Sequence, residues 1–182
     1  MADAIRASFA RVWGLRLVYV ALCLVIILFA LLPLQTEPRL WVGPNLMLAL
    51  TFAWALRRPE LVPIPLVAVM FLLSDFLQMR PPGLLSALAV IATARLQGRA
   101  RIMRERSILR EWFSAGIAVL VVLFGYRVLL GVFFIDRPQL VVTLSEAVMT
   151  IAFLPVMVAF SSLFFGIRRA AVGEVDSLGH RL

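Results

Sequence analysis

Three ionisable residues lie inside long apolar stretches of this sequence. Their side chains are of types that could support chemistry. Asp75, Arg127 and Glu146 each stand in a segment composed mainly of apolar residues. Charge inside an apolar span is costly, so such residues mark functional or structural sites by default. Two carboxyl groups and one guanidinium could form an ion pair, bind a polar ligand or exchange protons with one.

These three charges have two interpretations that the sequence leaves open. The distribution of arginines, described below, predicts which side of a membrane each segment end faces. In that topology all three residues lie toward the outer boundary of their segments. In the first interpretation, they reach the outer lipid head groups or form a purely structural ion pair. In the second, Arg127 pairs with Asp75 or Glu146 and fixes the packing of the third, fifth and sixth segments around a polar pocket or a partner surface.

The remaining reactive residue types form no recognisable active site. The one histidine, His180, lies in the polar tail, and the one cysteine, Cys23, lies within an apolar run. The sequence contains no phosphate-binding loop of the G-x-x-x-x-G-K type. It also lacks a Cys/His cluster with the spacing of a metal site. We therefore predict a protein that is not an enzyme and that uses no metal and no cofactor.

The arginines are distributed unevenly along the chain. All 18 basic residues are arginine, and hydrophobic residues make up 63% of the sequence, with a mean hydropathy of +1.00. If the polar gaps alternate between the two sides of a membrane, fourteen arginines fall on one side and three on the other. This asymmetry follows the positive-inside rule. It predicts a multi-pass protein of the bacterial inner membrane with both termini in the cytoplasm.

The net charge of +8 has a membrane explanation. In a soluble protein such a charge would suggest nucleic-acid binding. Here the arginines cluster at the ends of apolar segments, where anionic lipid head groups attract them. We therefore predict contacts with anionic lipids and no contact with nucleic acid.

Six apolar segments predict an all-α membrane protein with six transmembrane helices. The segments cover about residues 17–34, 40–56, 61–77, 83–97, 112–135 and 140–167. They form one membrane domain, residues 1–169, which a polar cytoplasmic tail follows, residues 170–182. The first segment is longer than the core of a signal peptide and no cleavage site follows it, so we expect it to be retained.

The fourth and sixth segments have unusual lengths. Eleven residues, 84–94, separate Gly83 from Arg95, whereas a comfortable span needs about 20. A re-entrant arm would move the densest basic loop outside, so a short crossing helix with Arg95 reaching back to the cytoplasm is favoured. The sixth segment is too long, so we expect it to tilt or to begin at the outer interface. Pro155 predicts a kink in it.

Several short motifs occur in an order that is found in a known family. Gly43-Pro44-Asn45-Leu46 opens the second segment, and Arg57-Arg58-Pro59 ends it. The third segment ends in Leu73-Ser74-Asp75-Phe76-Leu77. Pro82-Gly83-Leu84 then leads into the fourth segment.

The last segment completes the pattern. It contains Phe153-Leu154-Pro155 and stops at Arg168-Arg169. In the order and spacing of these motifs and in total length, the chain resembles the rod shape-determining protein MreD family. The doubled Pro81-Pro82 turn and Arg127 depart from that pattern.

The resemblance implies a fold and a set of partners. The six-helix fold of this family is similar to the substrate-binding subunit of energy-coupling-factor vitamin transporters. The implied function is that of a non-catalytic inner-membrane subunit of the cell-wall elongation complex, which binds the bitopic protein MreC. Together they support a wall glycosyltransferase, a transpeptidase and, indirectly, an actin-like filament protein, which build the lateral cell wall. The alternative is a small-solute transport subunit.

The residues expected to matter for the resemblance lie at outer helix ends. We predict that Pro44, Asn45, Asp75, Pro82 and Gly83 shape the outer ends of spans two to four. Asn45 can bond exposed backbone near a helix start, and Asp75 can cap or pair at the outer turn. A transport subunit would place several polar residues near the bilayer midplane. Mid-span positions here are mainly Leu, Val, Ala and Phe, which favours an interaction subunit.

Overall fold

The protein is all-helical over the residues that the computed structural model describes, which are 2–32, 42–102 and 108–167. The helices are α1 (Ala2–Leu31), α2 (Leu46–Arg57), α3 (Ile64–Leu77), α4 (Leu84–Ile102), α5 (Ile108–Val132) and α6 (Leu140–Phe165). A short 3-10 turn, Pro59–Leu61, connects α2 to α3. The predicted all-α class is confirmed, and the predicted tail, 170–182, lies outside the described residues.

Each predicted apolar segment contains a helix, although several helix ends differ from the segment ends. Helix α1 begins at Ala2 rather than near residue 17, and α4 continues to Ile102 rather than 97. Alanine and arginine are strong helix formers, so a helix continues beyond the apolar part of its sequence. Helix α2 begins at Leu46 rather than near residue 40, because Asn45 caps it.

Helix α2 forms the centre of the bundle. Every residue from 47 to 55 is buried, and the helix packs against α1, α4, α5 and α6. Its 12 residues span only about 18 Å. Two hydrogen bonds attach it to its neighbours: the hydroxyls of Tyr19 and Thr51 lie 2.9 Å apart, and the indole N–H of Trp54 donates to Ser161 Oγ at 2.8 Å.

Contacts along α2 and α6 show the direction of these two helices. The backbone N–H of Asn45 bonds Thr150 Oγ1, and further along both helices Trp54 bonds Ser161. The two helices therefore run parallel. This is the arrangement expected of an alternating bundle, because four reversals of direction separate α2 from α6.

The bundle has two polar ends. One end carries Asn45, Asp75 and Glu146, and we call it the carboxylate end; it corresponds to the predicted outer side. At the other end Arg57 forms an ion pair with Glu111 at 3.2 Å, and we call this the arginine end. Between these two polar ends, the outward faces of the helices are apolar.

The burial pattern differs from that of a soluble protein, because the outward faces of the helices are apolar as well as the core. Large apolar side chains are exposed along α1, α3, α5 and α6, and examples are Leu28, Phe76, Val121, Val128 and Val148. Buried polar residues include Thr51, Ser74, Asp75, Ser86, Thr93, Thr150 and Ser161. In a bilayer, small polar side chains stabilise helix contacts and apolar ones face the lipid.

Among the residues that the structure describes, three helices are long and apolar enough to cross a membrane. They cover Ala10–Leu31, Leu109–Val132 and Leu140–Phe165. Two shorter apolar helices, α2 and α3, accompany them. These lengths and the exposed apolar faces indicate a membrane protein.

Helix α3 ends in a tight turn in which the chain folds back onto the last turn of the helix. Met79 adopts the left-handed conformation, with φ of 54°. The Met79 N–H donates to the Phe76 carbonyl at 3.3 Å, and the Arg80 N–H donates to the Asp75 carbonyl at 3.0 Å. This pair of bonds is the Schellman closure of a helix. It holds Arg80 at the carboxylate end.

Candidate functional site

Asn45 joins the start of α2 to α6 at the carboxylate end. Its side-chain oxygen accepts from the Leu48 N–H at 3.2 Å and so caps α2. Its amide nitrogen donates to Glu146 Oε1 at 3.0 Å, and its backbone N–H donates to Thr150 Oγ1 at 2.8 Å. Pro44 precedes it in the non-helical segment 42–45. One residue therefore satisfies helix-start donors and connects two helices that are distant in sequence.

Asp75 is fully buried and caps the start of α4. Its Oδ2 accepts from the Gly83 N–H at 3.1 Å and from the Ser86 N–H at 3.3 Å. Carboxyl groups are favoured at helix N-termini, where backbone N–H groups lack intrahelical partners. Gly83 has φ of 91°, a conformation that other residues rarely adopt, and Pro82 precedes it. These residues fix the turn between α3 and α4.

Arg127 lies away from the partners proposed for it. Its Nη1 donates to the carbonyl of Pro138, in the connection between α5 and α6. Within the described residues it forms no ion pair with Asp75 or Glu146, so the predicted pairing is absent from this structure. The physical reason is that Asp75 already accepts two bonds from α4, and Glu146 is bonded by Asn45. Arg127 instead closes the α5–α6 connection.

A cavity of about 470 Å³ opens at the carboxylate end. It lies between α1, the non-helical residues 42–45 and the ends of α3, α4 and α6 that belong to the carboxylate end. Its polar lining consists of Asn45, Ser74, Gln78, Arg80 and Glu146. The volume is within the range of small-molecule sites, which is about 300–1,000 Å³. Three of the predicted residues, Pro44, Asn45 and Glu146, therefore line one space.

Sequence reasoning missed Arg80 and Gln78 as members of this site. Arg80 follows the third apolar segment, and it is one of only three arginines on the predicted outer side. That scarcity was a usable signal, because the positive-inside rule disfavours arginine there. Gln78 donates to Ser74 Oγ at 2.7 Å, one turn earlier in α3, and nothing in its local sequence indicates the cavity.

Pro155 lies within α6 and leaves one carbonyl without its intrahelical donor. Proline has no N–H, so the carbonyl of Ile151, four residues earlier, loses its usual bond. The indole N–H of Trp112, on α5, donates to that carbonyl at 3.0 Å. Helix α6 continues to Phe165. The α5–α6 contact thus satisfies a backbone group that Pro155 releases.

Removing the Trp112 donor is expected to cost stability only while Pro155 is present. Trp112→Phe should lower the free energy of unfolding by about 1 kcal/mol, because the Ile151 carbonyl loses its donor. In a Pro155→Ala background the loss should be much smaller, because alanine supplies an N–H to Ile151. Unfolding in detergent gives the coupling energy of this cycle. An equal cost of Trp112→Phe in both backgrounds would contradict the assignment.

The arginine end is held by bonds to backbone carbonyls and by ion pairs. Arg16 donates to the Glu60 carbonyl at 2.8 Å, and Gln97 donates to the Val62 carbonyl at 2.7 Å. These bonds attach α1 and α4 to the α2–α3 connection. In the described part of the chain, no group of three or more His, Cys, Asp or Glu residues could hold a metal ion.

The chemistry of both ends is that of capping and attachment. At the carboxylate end the predicted residues mainly close helix ends and join helices, and the cavity is a place there where a ligand could meet several polar groups. Comparison with family models, with characterised protein sequences and with solved structures found no match to this chain. The functional argument therefore rests on the residues and contacts described above.

Proposed function

We propose that this protein crosses the bacterial inner membrane six times, with its arginine end in the cytoplasm. The arginine count supports this orientation, since fourteen arginines fall on the predicted inner side. Helix α2 is short for a span, but it is enclosed by other helices. The non-helical segment 42–45 before it lines a cavity, which is where irregular backbone is tolerated at membrane depth. Anionic lipids would contact the arginine end.

We further propose that it is a non-catalytic subunit of the cell-wall elongation complex. It would bind an MreC-like bitopic membrane protein, together with the wall glycosyltransferase and transpeptidase, and act on an actin-like filament protein indirectly. Three motifs that resemble the MreD family meet at one end of the bundle, and this observation carries the proposal. Asn45 caps α2, and Asp75 caps α4 through Gly83 and Ser86.

The use of these motif residues favours assembly over catalysis. Asn45 and Asp75 hold backbone N–H groups and connect two helices, and such contacts shape a surface rather than transform a substrate. The exposed faces of α1, α3, α5 and α6 are apolar and wide, and they offer the membrane helix of a bitopic partner an area for packing. Close packing of side chains is the main source of helix association in lipid.

A small-solute transport subunit is the second candidate function. The specific observation in its favour is the cavity at the carboxylate end, which has polar groups on α3 and α6. Such a subunit would resemble the substrate-binding component of an energy-coupling-factor transporter. It would need an ATPase and a coupling membrane protein as partners, which a wall-complex subunit would not.

A pull-down from the native membrane in mild detergent tests both candidates. We expect a tagged protein to recover a bitopic MreC-like protein with the wall glycosyltransferase and transpeptidase, identified by mass spectrometry. A tagged, unrelated multi-pass protein at equal expression is the control for nonspecific capture. Recovery of ATPase subunits and a coupling membrane protein, without wall enzymes, would replace the first proposal by the second.

A further inference from the structure

The cavity at the carboxylate end holds two opposite charges that do not neutralise each other. Arg80 and Glu146 both line it. Among the described residues the ion pairs are Arg57 with Glu111 and a second pair at the arginine end, so Arg80 and Glu146 lie beyond direct contact. Charges that share a cavity without pairing are suited to a ligand that carries both complementary charges.

The fold positions the Glu146 carboxylate and the backbone of Arg80. Glu146 accepts from the Asn45 side chain through Oε1, which leaves its second oxygen for another donor. Arg80 follows the left-handed turn at Met79, and its backbone N–H is bonded to the Asp75 carbonyl. The Asp75 carboxyl group accepts from α4 rather than from the Arg80 guanidinium. The Glu146 carboxylate and the Arg80 backbone are therefore positioned before a ligand binds.

The third wall of the cavity is apolar and continuous with the outward face of α1. Ile26, Phe29 and Leu32 line it, and Phe29 is 63% exposed. In the proposed topology this wall lies at the level of the outer leaflet. A ligand could therefore keep an apolar tail along α1 while its charged head enters the cavity.

We propose that this cavity binds a molecule that carries a phosphate and a primary ammonium two carbons apart, namely the head group of an ethanolamine phospholipid. The Arg80 guanidinium would hold the phosphate through paired hydrogen bonds, and Glu146 would accept from the ammonium. The acyl chains would lie along Phe29 and its neighbours on α1. This inference rests on the cavity and on the proposed topology, and it does not depend on membership of the wall complex.

Lipid titration of the purified, full-length protein tests the head-group chemistry. Detergent-solubilised protein would be mixed with dioleoyl phosphatidylethanolamine, the matching choline and glycerol lipids, or water-soluble phosphoethanolamine, and bound ligand measured by native mass spectrometry. We expect the ethanolamine lipid to bind about tenfold more tightly than the choline lipid, since a quaternary ammonium cannot donate to Glu146. Equal binding of all three lipids would overturn the proposal.

Two charge-neutral variants separate the roles of the two residues. Arg80→Gln should weaken the binding of all three lipids by about tenfold, because each presents a phosphate. Glu146→Gln should weaken the binding of only the ethanolamine lipid. The amide oxygen of the new glutamine can still accept from Asn45. Arg137→Gln and Asp136→Asn are matched controls, because these charges are exposed and do not line the cavity. Unchanged lipid preference in both cavity variants would refute the site.

Folding and ligand source are distinguished by two further readouts. Each variant should retain the wild-type size-exclusion profile without lipid, and Arg80→Lys, which keeps the charge, should recover part of the binding if Arg80→Gln folds poorly. Phosphoethanolamine is expected to bind far more weakly than the lipid, because it lacks chains to pack against α1. Equal affinity for phosphoethanolamine would overturn the lipid source and assign the site to a soluble zwitterion.

Discussion

Replacing Asp75 by Leu is expected to destabilise the bundle and to weaken its assembly with partners, while membrane insertion continues. Leucine is close in size but accepts no hydrogen bond, so the N–H groups of Gly83 and Ser86 would be buried without an acceptor. Such losses cost about 1–3 kcal/mol for each group. We expect the free energy of unfolding to fall by about 2–4 kcal/mol and the turn that leads into α4 to loosen.

The Asp75 prediction has a conservative control. Asp75→Asn keeps an oxygen at the Oδ2 position and should retain most of the stability and partner recovery. The measurements are unfolding in detergent, recovery of partners in the native-membrane pull-down, and the amount of protein in the membrane fraction. Wild-type unfolding for Asp75→Leu would contradict the capping role. If the variant unfolds more easily but recovers partners at the wild-type level, the Asp75 cap stabilises the fold without contributing to the proposed assembly surface.

Trp54→Ala is expected to have the largest effect on stability of any single substitution in α2. Trp54 is fully buried and contacts two neighbouring helices, with ring centroids 5.6 Å from Tyr19 and 6.1 Å from Phe165. Its N–H also bonds Ser161. Loss of a buried tryptophan leaves a large cavity, and the typical cost is about 3–5 kcal/mol. Unfolding in detergent should show it directly.

Two smaller changes divide the Trp54 contribution into packing and hydrogen bonding. Trp54→Phe removes the N–H and part of the ring, whereas Ser161→Ala removes only the acceptor. We expect Ser161→Ala to cost about 1–2 kcal/mol, because the buried indole N–H then lacks a partner. If Trp54→Ala lowers the free energy of unfolding no more than Ser161→Ala does, packing around the ring contributes little to stability. The central role assigned to α2 would then be wrong.

Hydrogen bonds between helices have a particular importance in this protein. Its outward faces are apolar, so a bilayer would leave little hydrophobic driving force for helix association. Small polar contacts at the centre and ends supply specificity instead, as in the bonds of Tyr19 to Thr51 and of Trp54 to Ser161. This is why most of the expected large effects concern capping and interhelical donors.

The all-helical class and the uneven distribution of arginines follow from the sequence by itself. Apolar length and charge are properties of a contiguous stretch, and a bilayer acts on each stretch separately. The capping ability of Asn45 and Asp75 is also local chemistry, because both side chains can accept from backbone at a helix start. For these features no knowledge of distant contacts is required.

Only the tertiary structure decided which partners these residues meet. Asn45 bonds Glu146 across 101 positions, and the indole of Trp112 reaches the carbonyl that Pro155 releases on α6. The sequence left open whether Arg127 pairs with Asp75 or Glu146, since the choice among acceptors depends on which helix ends lie side by side. The cavity likewise exists only where α1, α3 and α6 converge, because helix packing places Arg80 and Glu146 around one space that no contiguous stretch of sequence encodes.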